Sequence, residues 1–185
     1  LYQSLLGDSR LFGLLLKLDE DLSAEARRGG CGCGGVLHSA HYERKPRGGP
    51  AGLGPGGAVR FSFCCATEGC RRRTLPASLR FLGRKVYFAV VVLLVPMLRD
   101  GFSAKRHERL CGAFPVSVRT VRRWRRFWRE AFVASRTWQA ARGRFARRVR
   151  ADGLPLTLLE AFSGIADLED RVVAVLRLVA GAPVF

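Results

Sequence analysis

Residues 31–35 read CGCGG, and residues 63–73 read FCCATEGCRRR. Together they hold five of the chain's six cysteines: Cys31 and Cys33, then Cys64, Cys65 and Cys70. A thiolate pair on each of two hairpin turns is what a tetrahedral zinc ion requires. The metal then replaces the hydrophobic core that so small a unit lacks. Glycine beside the ligands lets the backbone turn tightly, and Gly34 and Gly35 follow Cys33 while Gly69 precedes Cys70. The first pair is spaced C-x-C. The second is C-x4-C through Cys65 or C-x5-C through Cys64. Cys65 shares strand parity with Phe61 and Phe63. The expected ligands are therefore Cys31, Cys33, Cys65 and Cys70, with Cys64 as the alternate and His38 and His41 in reserve. The expected cofactor is one structural Zn2+. A catalytic zinc would need an open coordination position and a nearby base, and only Glu43 and Glu68 lie close in sequence.

Working outward, residues 9–28 space Leu11, Leu14, Leu15, Leu18, Leu22 and Ala26 as one helical face, with Asp19, Glu20 and Asp21 expected on the other. Gly29 and Gly30 stop this helix. Short strands are expected around Val36, Leu37 and Tyr42, and another over AVRFSFCC (58–65). Residues 46–57, PRGGPAGLGPGG, read as a linker without capacity for a core. From Ser78 onward the pattern is helical. The segment 79–99 is apolar nearly all round, which predicts a central buried helix ended by Gly101. Further helices are expected after caps at Ser103 (to about 111), Ser117 (to about 132) and Ser135 (to about 149), with Pro155 in the first turn of another through Phe162. The last opens at Asp167 and closes at Gly181. The fold class predicted is mainly α with a small β zinc-ribbon: an N-terminal helix (1–30), a two-hairpin ribbon (31–75), a helical helix-turn-helix domain (76–150) and a C-terminal helical pair (151–185).

The net charge of +17 is not spread evenly. Residues 101–150 carry fifteen Lys and Arg against two acids, and residues 31–100 carry eleven against three, while the flanks are neutral to acidic. A band of this density attracts a polyanion, because neutralised phosphates release condensed counterions. Nucleic acid, double-stranded DNA above all, is the expected partner, with attraction to an anionic membrane surface the minor alternative. No membrane is expected as the main partner, and none is expected to be crossed: the longest apolar run, residues 86–98, includes Pro96 and falls short of the ~18 residues a span needs. The stretch 1–21 has neither a charged leader nor a small-residue cleavage site. The expected location is the cytoplasm, associated with the nucleoid.

FPVSVRTVRRWRRFW (114–128) carries the sharpest functional signal. Val121, Trp124, Trp128 and Phe132 recur at three- and four-residue spacing, and Arg119, Arg122, Arg123 and Arg126 line the opposite face. In a helix-turn-helix the second helix enters the major groove, where arginine grips guanine O6 and N7 and an apolar group meets the thymine methyl. Ser117 as cap and Val118 complete the expected DNA-reading set. Pro115 stands where the turn commonly has Gly, and proline cannot adopt positive φ, so the turn must be reshaped. Cys111 is expected in core packing. Arg71, Arg72, Arg73, Arg80, Arg84 and Lys85 are expected phosphate contacts, with Arg44, Lys45 and Arg47 a further basic group.

A cysteine ribbon, the tract R-R-R-x-x-P-x-S-x-R-F-x-G-R (71–84) and then V-S-V-R-T-V-R-R-W (116–124) resemble, in that order, the DNA-binding part of zinc-ribbon transposases of bacterial insertion sequences, and small proteins carried with such elements. The resemblance covers roughly residues 31–130. It implies DNA binding and a role in transposition or its regulation, with a transposase or recombinase as a protein partner. Catalysis is not implied: the acids after the helix-turn-helix, Glu130, Asp152, Glu160, Asp167, Glu169 and Asp170, lack the strand-rich setting that a two-metal site needs. The expected protein is thus a non-enzymatic DNA-binding factor, with a transposase or nuclease remnant as the enzymatic rival. The alternative of another class is an RNA- or ribosome-associated zinc protein whose Tyr42, Phe61 and Phe63 stack on unpaired bases. The apolar stripe Leu168, Val172, Val175, Leu176 and Val179 leaves a homodimer open.

Overall fold

The computed structural model describes residues 2–98, 116–145 and 149–182. Seven α-helices and five short strands occur among them. A short α1 (Tyr2–Leu5) precedes α2 (Ser9–Arg28), whose N-terminus is capped by the Asp8 carboxylate accepting from the Arg10 N–H. Three antiparallel strands, β1 (Leu37–Ser39), β4 (Phe63–Cys65) and β5 (Arg73–Thr74), form one sheet in the order β1-β4-β5. A second ribbon pairs β2 (Tyr42–Glu43) with β3 (Val59–Arg60). The helices that follow are α3 (Ala89–Leu98), α4 (Val118–Arg126), α5 (Arg136–Ala141), α6 (Leu156–Ala161) and α7 (Leu168–Ala180). A π-helical segment, Phe127–Phe132, continues α4. The architecture is mainly α with a small antiparallel β part, as the sequence implies. Among the described residues no helix is long and apolar enough to cross a membrane.

One hydrophobic core runs from Leu5 and Leu11 through Val90–Leu94 to Trp128, Leu158 and Leu176, so the N-terminal helix, the central helices and the C-terminal pair share it. A separate small cluster of Cys31, Leu37, Phe63 and Cys65 lies at the β1–β4 pairing. Several expected helix ends agree. Ser117 and Ser135 accept from the Thr120 and Trp138 N–H groups, Asp167 caps α7, and Gly181 closes it in the left-handed conformation. The segment after Ser135 is shorter than expected: α5 gives way to a 3-10 turn, Arg142–Arg144. The strand expected over 58–65 is two strands broken at Phe61 and Ser62. There the His41 ring Nδ1 sits 2.9 Å from the Ser62 carbonyl and 3.1 Å from its nitrogen. The expected helix 103–111, with Cys111 and Pro115, lies outside the described residues.

Three expectations need correction, and one interaction bears on all of them. The central helix begins at Ala89, not Leu79, and Asp19 is buried rather than solvated. Asp19 continues the buried i,i+4 row Leu11, Leu15, Asp19, Ser23 of α2. Its carboxylate accepts from the Ser78 hydroxyl (2.5 Å), the Leu79 N–H (2.6 Å) and the Arg80 Nε–H (2.9 Å). Both charged side chains are 1% exposed. Segment 78–88 therefore spends its polar groups on Asp19 and on bridges such as Phe81↔Phe88, and cannot coil into a helix. The remaining guanidinium N–H groups donate to the Gly56, Gly57 and Val59 carbonyls at 2.7–3.0 Å. This binds the Gly/Pro segment to the core. Gly49 lies so close to Phe88 that a Cβ there would meet the ring at 2.6 Å. Residues 46–57 are thus a docked loop rather than a free linker.

Pro96 sets a second interlock. Lacking an N–H, it leaves the Val92 carbonyl, four residues earlier, without its helical donor. The Trp128 indole N–H, itself buried, fills that vacancy at 3.0 Å. The arginine-bearing helix is thereby hung on α3.

Two outcomes follow for stability. Asp19→Ala strands a buried guanidinium and should cost about 3–5 kcal/mol in urea denaturation; a loss within experimental error would contradict the hub role. Trp128→Phe should cost about 1–3 kcal/mol, by leaving the Val92 carbonyl unpaired. The same change in a Pro96→Ala background should cost less, because residue 96 then donates to Val92. Equal costs in both backgrounds would rule out the interlock.

Candidate metal centre and nucleic-acid interface

The first knuckle grows directly from the end of α2. Gly30 turns the chain at φ +69°, the Cys31 N–H donates to the Gly35 carbonyl (3.0 Å), and the Gly34 N–H donates back to the Cys31 carbonyl (2.8 Å). The second knuckle leaves β4 at Cys65 and closes through the Cys70 and Arg71 N–H groups, both donating to the Thr67 carbonyl. Gly69 at φ +80° makes that turn. Pairing of Leu37 with Cys65 across β1 and β4 brings the knuckles face to face.

Cys31, Cys33, Cys65 and Cys70 then place their four sulfurs within 4.8 Å of one another. The Cys33–Cys65 and Cys31–Cys70 separations are 3.5 and 3.8 Å. A zinc ion with Zn–S bonds of about 2.3 Å in a tetrahedron sets its sulfurs about 3.8 Å apart, so the cluster has the size such an ion needs. The four could hold a metal ion, and they are the four expected. Strand parity decides the fifth cysteine: Cys64 faces away, its thiol directed to the Arg71 carbonyl at 3.5 Å. His41 is engaged with the Ser62 backbone, and His38 is exposed on β1. Among the described residues this is the sole set of His, Cys, Asp or Glu close enough to bind a metal.

The donor chemistry favours a cation. The Gly35 backbone N–H, followed by hydrogen bonds with Cys70, Cys65 and Cys31, lowers the Cys33 thiol to about 6. Cys65 is pulled below the ordinary thiol value by the Thr67 hydroxyl and backbone N–H. For Cys70 the Arg72 N–H pulls down, but hydrogen bonding with Cys33, burial, and then Cys31 and Cys65 push it up to about 11. The lowering at Cys33 and Cys65 favours the thiolate form that a cation binds. Gly35 is required by space: a Cβ would stand 2.1 Å from Thr67 Oγ1 and 2.7 Å from Cys65 Sγ. Sequence reading missed Thr67, which carries no motif signal of its own.

The second surface is α4. Val121, Trp124, Trp128 and Phe132 are all buried, as their spacing implies, while Ser117, Val118, Arg119, Arg122, Arg123 and Arg126 are exposed. Arg123 Nη2 donates to Thr120 Oγ1 at 3.3 Å, and Arg126 pairs with Glu130 at 3.1 Å. Two expected phosphate contacts are corrected. Arg80 is locked in the core against Asp19. Lys85 is half-buried, its ammonium 3.7 Å from the Phe127 ring centroid, and burial lowers its pKa. Arg71, Arg72, Arg73 and Arg84 are exposed. Compared with known proteins, the chain matches no family model, no curated protein and no solved structure.

Metal content checks the ligand set. Purified protein should hold one zinc per chain. Cys33→Ser and Cys65→Ser should each lose it, whereas Cys64→Ser should keep it. Zinc loss in Cys64→Ser, or retention in Cys65→Ser, would reassign the site.

Proposed function

We propose that the chain is a duplex-DNA-binding protein that reads its target with α4 and carries a structural zinc in the four-cysteine ribbon. The observation behind this reading is the division of α4. One face of α4 and its π-helical continuation is buried through Val121, Trp124, Trp128 and Phe132, and the other presents four exposed arginines from a Ser117-capped start. A helix whose arginines were only solvating it would mix signs, yet the single acid over 117–132 is Glu130, already paired with Arg126. Arg122 and Arg123 grip guanine edges or phosphate, Val118 meets a thymine methyl, and Arg119 and Arg126 hold the backbone on either side. Four thiolates closed around zinc leave no open position for substrate, so the metal acts as a staple. In this reading the protein is a mobile-element accessory or regulatory factor, cytoplasmic and nucleoid-associated, acting without catalysis of its own beside a transposase or recombinase; what supports it is the resemblance of residues 71–84 and 116–124 to transposase DNA-binding regions.

The RNA reading loses its stacking platform. Phe63 is 2% exposed and Phe61 is half-buried beside His41, which leaves Tyr42, at 39%, as the exposed ring of the three.

Fluorescence anisotropy of labelled duplex DNA across a salt series tests the proposal. Binding should be evident near 50 mM salt and weaken steeply as salt rises. Arg122→Ala with Arg123→Ala should weaken it by about tenfold or more at fixed salt. No binding by the zinc-loaded protein at low salt, or wild-type affinity in the double variant, would refute it.

A further inference from the structure

The exposed cations of the ribbon and those of α4 are far apart in sequence, but an unbroken series of contacts joins them. Arg73 on β5 places its guanidinium 5.8 Å from the Tyr42 ring centroid. Two residues beyond Tyr42, the Arg44 guanidinium donates to the Gly83 carbonyl (2.9 Å) and the Lys85 carbonyl (2.8 Å). Arg47 binds the same segment through its backbone: its N–H donates to the Val86 carbonyl at 3.0 Å, and its own carbonyl accepts from Phe88. Lys85 lies over Phe127, and the Tyr87 ring meets Trp124 edge-on at 4.9 Å. Trp124 and Phe127 sit within one turn of Arg123 and Arg126. Arg44 and Lys85 are occupied in holding this path together. Beside them, Lys45, Arg47 and Arg84 are exposed, and Arg47 joins the path through its backbone alone. Arg72 reaches the first knuckle, with Nη1 3.5 Å from where a Gly32 Cβ would stand, so the tract starts at the zinc site itself.

We propose that these groups form one phosphate-binding track, running from the Arg71, Arg72 and Arg73 tract beside the cysteine cluster, across Lys45, Arg47 and Arg84, to the arginine face of α4, and that a single duplex lies along it. The inference rests on the reading of α4 as the DNA-contacting helix and extends it. The ribbon becomes a second grip on the same backbone rather than a remote staple. Closed around zinc, the four thiolates would form a net dianion that repels phosphate, and the adjoining arginines screen it.

The experiment uses the full zinc-loaded chain and a labelled duplex, reading the slope of log affinity against log salt. Arg71→Gln, Arg72→Gln and Arg73→Gln together should lower the slope by about two to three, and affinity by about tenfold or more, since each lost phosphate contact removes roughly 0.9 from it. Lys45→Gln with Arg47→Gln, an independent variant away from the knuckles, should lower it by about one to two. Arg10→Gln removes an exposed cation already paired with Asp8, and should leave the slope unchanged. Zinc content confirms that each variant is folded at the ribbon. Wild-type slopes in both the ribbon variant and the Lys45/Arg47 variant, while the Arg122/Arg123 variant still loses affinity, would overturn the track and leave the α4 reading standing. No duplex binding by the wild-type protein would overturn both.

Discussion

Arg80 and Asp19 form the constraint on which the rest of the structure depends. A fully buried ion pair is stable only when every polar atom finds a partner. Here Asp19 accepts three hydrogen bonds, and Arg80 donates to Asp19 and to three backbone carbonyls. Those partners lie on α2, on segment 78–80, on the Gly/Pro loop and at β3. Four stretches of chain with little local preference are thereby fixed against one another. The Phe61 and Phe81 rings close over the guanidinium at 5.3 and 5.0 Å. The ribbon, which has only a four-residue apolar cluster of its own, gains a rigid attachment to the main core.

The helix that carries the functional reading depends on a second polar contact inside an apolar setting. The Val92 carbonyl is vacant because of Pro96, and Trp128 reaches it from the continuation of α4. An aromatic anchor held by both packing and a hydrogen bond fixes the rotation of its helix as well as its distance. That rotation decides which side of α4 faces water, and so which of its arginines are exposed. The two interlocks together hold the ribbon and α4 to α3 and the segment before it. The cysteine centre and the arginine face are thereby parts of one scaffold.

The sequence made some of this legible. Cys65 was separable from Cys64 by counting alternate positions from Phe61, and the alternation of Trp, Val and Arg in α4 matched its buried and exposed faces. Caps at Ser117, Ser135 and Asp167 were readable because a short polar side chain before an apolar run has few other uses. What stayed hidden was long-range polar pairing. Asp19 sits four residues after Leu15 and four before Ser23, in line with the buried row, yet its two acidic neighbours made it read as solvent-facing. Arg80 shared a basic tract with exposed arginines, and nothing local marks it as the one drawn inward. The apolar run before Pro96 read as helix from Leu79 because hydrophobicity reports burial without reporting backbone shape. The Gly-rich loop read as a linker because its docking depends on missing side chains: Gly48 and Gly49 leave room for Val91 and Phe88.

These features describe a protein in which a buried ion pair and a four-cysteine ribbon position cations, and α4 presents them. Hydrogen–deuterium exchange of the zinc-loaded protein with and without duplex DNA tests that claim most directly. The account predicts slowed exchange over 117–126 on adding duplex, with Leu168–Ala180 of the C-terminal helix unchanged. Protection confined to that C-terminal helix, or unchanged exchange over 117–126 at saturating duplex, would contradict it.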